Sequence, residues 1–172
     1  THAIDNVLER HPKRATLIHT VSEHLAAHIL RESRYRSRMV GYINGRTRES
    51  ALKEYLEAAT KGDPKVLVAQ SYERGLDLRG DLGRLLIVAK IPFPNLGDPQ
   101  ISRRVYAFRD GKTWYLVQTW RRLVQATGRA MRSKEDHAIT IILDAQFEGL
   151  WERSRYLAPS WWRDALIWQQ KR

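Results

Sequence analysis

The sequence predicts an α/β fold built on a mostly parallel central sheet with helices on both faces. Two observations carry this. Short, near-continuous apolar runs recur at residues 15–19 (ATLIH), 65–70 (KVLVAQ) and 84–90 (RLLIVAK). Strands covered on both faces read this way, because neither side of the pleat meets water. Between these runs stand longer segments with apolar residues at helical spacing, and such alternation of strand and helix is the pattern of parallel sheets.

Composition bounds the function. A chain of 172 residues fits one domain, or a domain with a short extension, and 42% hydrophobic residues suffice for a core. Thirty Lys+Arg against nineteen Asp+Glu leave a formal charge of +11, with a pI near 10.3. That excess favours a polyanionic partner, nucleic acid before an anionic membrane. No apolar run is long enough to span a bilayer, and the first residues do not read as a signal peptide. With no cysteine the chain has no disulfide and no thiolate metal site. A cytoplasmic setting fits.

In chain order, a short helix over residues 3–10 is stopped by Pro12. The 15–19 strand follows. Thr20-Val21-Ser22-Glu23 then has the spacing of a capping box and opens a helix running to about Ser33. Residues 38–43 form a second strand, and Thr47 opens a second helix with Leu52, Leu56 and Ala59 on one face. The strands at 65–70 and 84–90 come next. Residues 91–112 carry three prolines and two glycines and read as one long irregular stretch, a length that in a compact domain points to function or mobility. A helix spans 114–127, and residues 138–143 read as a fifth, buried strand.

The stretch that asks for a function is residues 125–132, QATGRAMR. Gln125, Arg129 and Arg132 surround Gly128, and arginines three apart on a helical turn point the same way. Two guanidinium forks converging on one point hold a phosphate or a carboxylate, since each offers paired donors in fixed geometry. Gly128 would let the backbone approach such a ligand. Ligands of open α/β sheets gather beyond the carboxyl ends of the strands. That draws attention to Thr20 and Ser22 after the first strand and to residues 71–81, SYERGLDLRGD, after the third.

These segments resemble the second RecA-like domain of superfamily two DNA helicases, in the XPD/DinG-like group. Ser71-Tyr72-Glu73-Arg74-Gly75-Leu76-Asp77 resembles motif V, RLLIVAKIPFPNLGDP the strand and Pro-Phe-Pro loop, and QATGRAMR with Asp136 and Asp144 motif VI and its strand. Residues 14–22 are a weaker match to motif IV. The resemblance implies a RecA-like three-layer sandwich over residues 1–147, with 148–172 as a Trp-rich helical extension. It implies that Arg132 is an arginine finger reaching the γ-phosphate of ATP, with Arg129 and Gln125 beside it and Gly128 close by. Gly75 and Asp77 would couple nucleotide to DNA, and Thr20, Ser22 and Ser71 would lie on single-stranded DNA. ATP and Mg²⁺ would be held mainly by a first RecA-like domain of the same polypeptide, so this chain alone is expected to be inactive. Arg74, the pair His137-Ala138, and Gln146 depart from the family pattern.

Other features read more plainly. Gly111-Lys112-Thr113 is not a P-loop, because Tyr106 stands where its first glycine belongs, and it reads as a turn into the next helix. His24 and His28 have a metal-compatible spacing without a third ligand. Arginines at 34, 36, 38, 46 and 48, with Arg103 and Arg104, are candidate phosphate contacts. Trp161, Ala165 and Trp168 share a helical face expected to pack the tail down, though tryptophans among Arg153, Arg155 and Arg163 also suit base stacking. Two other readings stand beside the motor: a basic nucleic-acid-binding module that has lost motor function, and a docking domain whose tryptophan-rich tail meets a protein partner.

Overall fold

A computed structural model describes residues 1–43, 45, 47–70, 82–128 and 137–169. It forms two compact units. The first comprises Thr1–Lys90 with Ala126–Asp144, and the second Ile91–Gln125 with Ala145–Arg172.

The first unit is the sheet. Five strands, β1 (Thr16–His19), β2 (Met39–Gly41), β3 (Val66–Ala69), β4 (Leu85–Val88) and β5 (Ile139–Ile142), lie in the order β2-β3-β1-β4-β5, and every pairing is parallel. The apolar runs of β1, β3 and β4 are buried at every position, as strands covered on both faces require. Ile18, Val66, Val68 and Ile87 form the centre of the core, joined by Ala26 and Ile29 of α2 (Glu23–Glu32) and by Ile4 and Leu8 of α1 (His2–Arg10). Helix α1 is pinned by Asp5, which is buried and accepts from the Ser33 hydroxyl at 2.5 Å and the Arg34 N–H at 3.4 Å. Helix α3 (Arg48–Thr60) starts at Thr47, whose hydroxyl oxygen accepts from the Ser50 N–H, and buries Ala51, Tyr55 and Ala58.

The fifth strand corrects the sequence reading. It is a strand, but half-buried to exposed rather than buried, with Ile139 40% accessible. Apolarity announces a strand; it does not say that the strand stands at the edge of the sheet.

The second unit is helical. The irregular stretch expected over 91–112 instead contains α4 (Pro99–Tyr106). Asp98 caps it, its carboxylate accepting from the N–H groups of Gln100 and Ile101, and Pro99 fills the first position, where no N–H is needed. The next helix, α5 (Gly111–Thr127), begins at Gly111 itself rather than after a turn. A Cβ on Gly111 would lie 2.0 Å from the Val105 carbonyl oxygen, so only glycine fits this corner. Helix α6 (Gln146–Ser154) and the short α7 (Ser160–Asp164) follow. Trp120 of α5 sits among Phe147, Trp151 and Trp162 in edge-to-face contacts, the commonly favoured aromatic geometry, and its indole N–H donates to Ser154 at 2.9 Å. Here too the sequence reading needs correcting. Trp162, not Trp161, turns inward, and Trp161 is 61% exposed, because α7 ends at Asp164 and no continuous helical face forms; Trp168 does pack the tail down, against Phe147 and Trp151.

Candidate nucleotide and nucleic-acid site

The strand order fixes where a ligand can sit. From β1 the chain steps to β2 and β3 on one side, then crosses to β4 on the other. In an open parallel sheet such a reversal marks the usual ligand position, here beyond the carboxyl ends of β1 and β4. Thr20, Val21 and Ser22 leave β1 there, Gln70 leaves β3, and Ala89 leaves β4. Ladder bonds carry this edge past the strands: Thr20 N–H to Ala69 O at 3.0 Å, Val21 N–H to Gln70 O at 3.1 Å, and Ala89 N–H to His19 O at 2.9 Å.

The turn after β1 is unusual. Val21 has φ 57, the left-handed region, and is the one described residue other than glycine with positive φ. A β-branched side chain pays a steric penalty there, and such strain persists only where the surroundings impose it. The constraints on both sides are visible. Thr20 is fully buried, and its hydroxyl donates between Ala69 O at 3.2 Å and Ser22 O at 3.1 Å. Ser22 is the true N-cap of α2, its Oγ accepting from the Leu25 N–H at 3.3 Å. The cap therefore lies two residues later than the expected box. Thr20 holds the turn from inside and presents no hydroxyl to the surface, whereas Ser22 is half-buried. The N–H groups of Glu23 and His24, in the first turn of α2, have no partner within the helix.

Below this turn His19 is buried at the end of β1, and burial holds its imidazole down to about 4, so it is neutral near neutral pH.

Gln125 is exposed near the end of α5, and Gly128 follows the helix with open space around its Cβ position. Ser71, Gly75, Asp77, Arg129 and Arg132 lie outside the described residues, as do Arg46, Arg74 and Asp136. Of the sequence-predicted set, the structure therefore places Thr20 and Ser22 together at the carboxyl edge, and Gln125 and Gly128 at the end of α5.

The candidate phosphate arginines divide. Arg104 is committed: its guanidinium grips Asp110 at 2.8 and 2.6 Å and lies over the rings of Phe108 and Trp114. The hydrogen bond from Arg104, aided by its charge, holds the Asp110 carboxyl below the usual carboxylate range. Arg38 is spent on the carbonyls of Arg14 and Pro64. Arg103 and Arg109 are exposed on the same α4–α5 corner as Tyr106 and Phe108, which are 69% and 55% accessible. The sequence marks Arg103 as a candidate phosphate contact but not the exposed rings beside it, which lie in a stretch that reads as irregular. Its signal was the Asp98-Pro99 helix start, which would have put these residues at a helix end.

The comparisons with known proteins fit this architecture. The profile of the family described as "Helicase C-terminal domain" matches residues 9–165. A solved XPD helicase superposes with TM-score 0.62 and 20% identity over 91% of this chain and 30% of that one, a likeness of fold. "Fanconi anemia group J protein homolog" of Gallus gallus is 33% identical over 114 residues, 58% of this chain and 9% of the relative. "Regulator of telomere elongation helicase 1 homolog" of Drosophila grimshawi is 30% identical over 112 residues, 58% of this chain and 11% of the relative. The chain thus spans about a tenth of the length of these curated relatives.

A parallel α/β domain of the RecA-like type is the class that the fold defines. Within that class the chain belongs to the helicase C-terminal domain family.

Proposed function

We propose that this chain is the second motor domain of an ATP-dependent DNA helicase. It would complete an ATP site formed mainly by a first RecA-like domain of the same polypeptide and carry part of the track for single-stranded DNA. The observation that supports this best is the family match over residues 9–165, on a sheet whose carboxyl edge collects the residues that resemble motif IV and leads, at Gln70, into those that resemble motif V.

In this reading Arg132 is the arginine finger, with Arg129 and Gln125 beside it and Gly128 giving clearance. Charge builds on phosphoryl oxygens as the γ-phosphoryl leaves, and a positioned guanidinium stabilises it. ATP and Mg²⁺ would be held by the first domain. Gly75 and Asp77 would link the nucleotide to the DNA grip. Ser71, Ser22 and the first turn of α2 would take DNA phosphates, where unpartnered N–H groups suit an anion. Thr20 would act from inside, fixing the Val21 turn that presents α2. Exposed Tyr106 and Phe108, flanked by Arg103 and Arg109, suit stacked bases with nearby phosphates.

The test is single-strand-stimulated ATP hydrolysis by the polypeptide that carries both domains, with Arg132→Ala beside it and this 172-residue chain as blank. Loss of rate on the order of a thousandfold in Arg132→Ala, and none from the blank, is the expected result. Unchanged hydrolysis would remove Arg132 from the finger role. A parent without ATPase would favour the non-motor binding module.

A further inference from the structure

The opposite edge of the same sheet carries a cavity that the motor reading does not use. Its volume is about 530 Å³, within the range of ligand-binding clefts. It lies where the strands begin: Ala15 precedes β1, Pro64 leads toward β3, Arg84 precedes β4 and His137 stands ahead of β5, and all of them line it. Leu56 and Ala59 of α3 and Leu82 give it an apolar interior. Lys13, Arg14 and His137 are exposed at its rim, and no acidic side chain lines it among the described residues.

The lining is held in place. The Arg38 guanidinium reaches the carbonyls of both Arg14 and Pro64, at 3.5 and 3.4 Å. The buried Tyr55 hydroxyl donates to Leu82 O at 2.6 Å, and the Ile139 N–H to Arg84 O at 2.8 Å. A cavity fixed by such bonds needs little rearrangement to receive a ligand.

Its polarity selects the occupant. Thr60 and Gly62, at the carbonyl end of α3, also line the cavity. A helix C-terminus carries partial negative charge and offers a small, dense anion no N–H cradle, and Arg84, the half-buried basic residue of the lining, already has a partner. Positive charge stands at the exposed rim and apolar surface lies within. This arrangement fits a polypeptide that inserts one apolar side chain and keeps its carboxylates outside, near the cations.

We propose that the amino edge of the sheet is a docking site for an acidic segment of a partner protein, anchored by a large apolar side chain in the cavity and by its carboxylates on Lys13, Arg14 and His137. Because the site lies at the edge opposite Ser22, the partner and single-stranded DNA can be held together. The docking site itself does not depend on the motor reading; only the simultaneous hold on single-stranded DNA rests on it.

A random-peptide phage selection against the 172-residue chain tests it, with enriched sequences synthesised and titrated by fluorescence anisotropy. The expected pool has Asp and Glu around one large apolar residue. Its affinity should fall at least about tenfold in the double variant Lys13→Glu/Arg14→Glu and in Ala59→Leu, which fills the cavity, and survive saturating oligo(dT). Both rim residues are exposed, so the charge variant remains informative even if Ala59→Leu misfolds, which circular dichroism reports. No enrichment, peptides that bind the charge variant equally well, or displacement by oligo(dT) would overturn the proposal. So would calorimetric binding of octanoate with no peptide enriched, which would make the cavity a small-anion site.

Discussion

The two compact units reach the same end, a dry interior, with different side chains. The first packs Ile18, Val66, Val68 and Ile87 from adjacent parallel strands against Ile29 and Leu8. β-Branched residues suit a pleated surface covered on both faces, and many small contacts share the load. The second has few helices and no sheet among its described residues, and gathers Trp120, Phe147, Trp151 and Trp162 around one another. Large rings fill the space between its helices, and the load concentrates on few residues. A distributed core and a concentrated one should fail differently.

The largest expected effect is at the concentrated core. Trp120→Ala removes a fully buried indole and orphans its hydrogen bond to Ser154, so urea unfolding should show a loss of about 4 kcal/mol. Ile18→Ala, the matched deletion in the sheet, should cost about 3 kcal/mol. Equal losses would erase the contrast between the cores.

The sheet unit has a pH sensitivity of its own. His19 takes a proton near 6.5 in the unfolded chain but only near 4 in the folded one, because burial disfavours the imidazolium. The unfolded state therefore binds more protons between these values, and stability falls as pH drops through that window, by about 3 kcal/mol in all. Above about 6.5 the contribution is constant. Stability measured from pH 7.5 to 4 should decline more steeply in the wild type than in His19→Leu; parallel curves would contradict the assignment.

Next in size is the α4–α5 corner. Gly111→Ala sets a methyl group against the Val105 carbonyl, and neither backbone can yield cheaply, so about 2 kcal/mol should be lost. A thermal melt indistinguishable from wild type would mean the corner opens freely. Smallest is Ser22→Ala, which removes the cap of α2 at about 1 kcal/mol, read from the denaturation midpoint. In the two-domain parent the same change should weaken oligo(dT) binding; a change in stability alone would leave Ser22 as a cap only.

Much of the sheet was legible because burial on both faces writes itself as unbroken apolarity: the runs at 15–19, 65–70 and 84–90 became β1, β3 and β4. What apolarity could not encode was position, so β5 was expected to be buried when it stands at the edge. Helix α4 was missed because three prolines outweighed the Asp98-Pro99 start in the reading of 91–112. Trp162 rather than Trp161 faces inward because a helix of five residues is too short for a periodicity to declare its inner face. The residue types at 20–22 marked a turn at the carboxyl end of β1, but which hydroxyl faces inward depends on the left-handed Val21, and no spacing rule contains that. The arginine pair at 129 and 132 was legible only as chemistry and resemblance.

The order in which the strands appear along the chain has a consequence for how the molecule is made. Strands β1, β3 and β4 can pair once residue 88 has left the ribosome, but β5 begins at Ile139, after the whole of residues 91–125. Until then the free edge of β4, LLIV, offers a row of unpaired N–H and C=O groups on an apolar strand, a template for another chain. That edge of β4 therefore stays open from the synthesis of Val88 until Ile142 arrives, a window in which exposed strand edges favour aggregation.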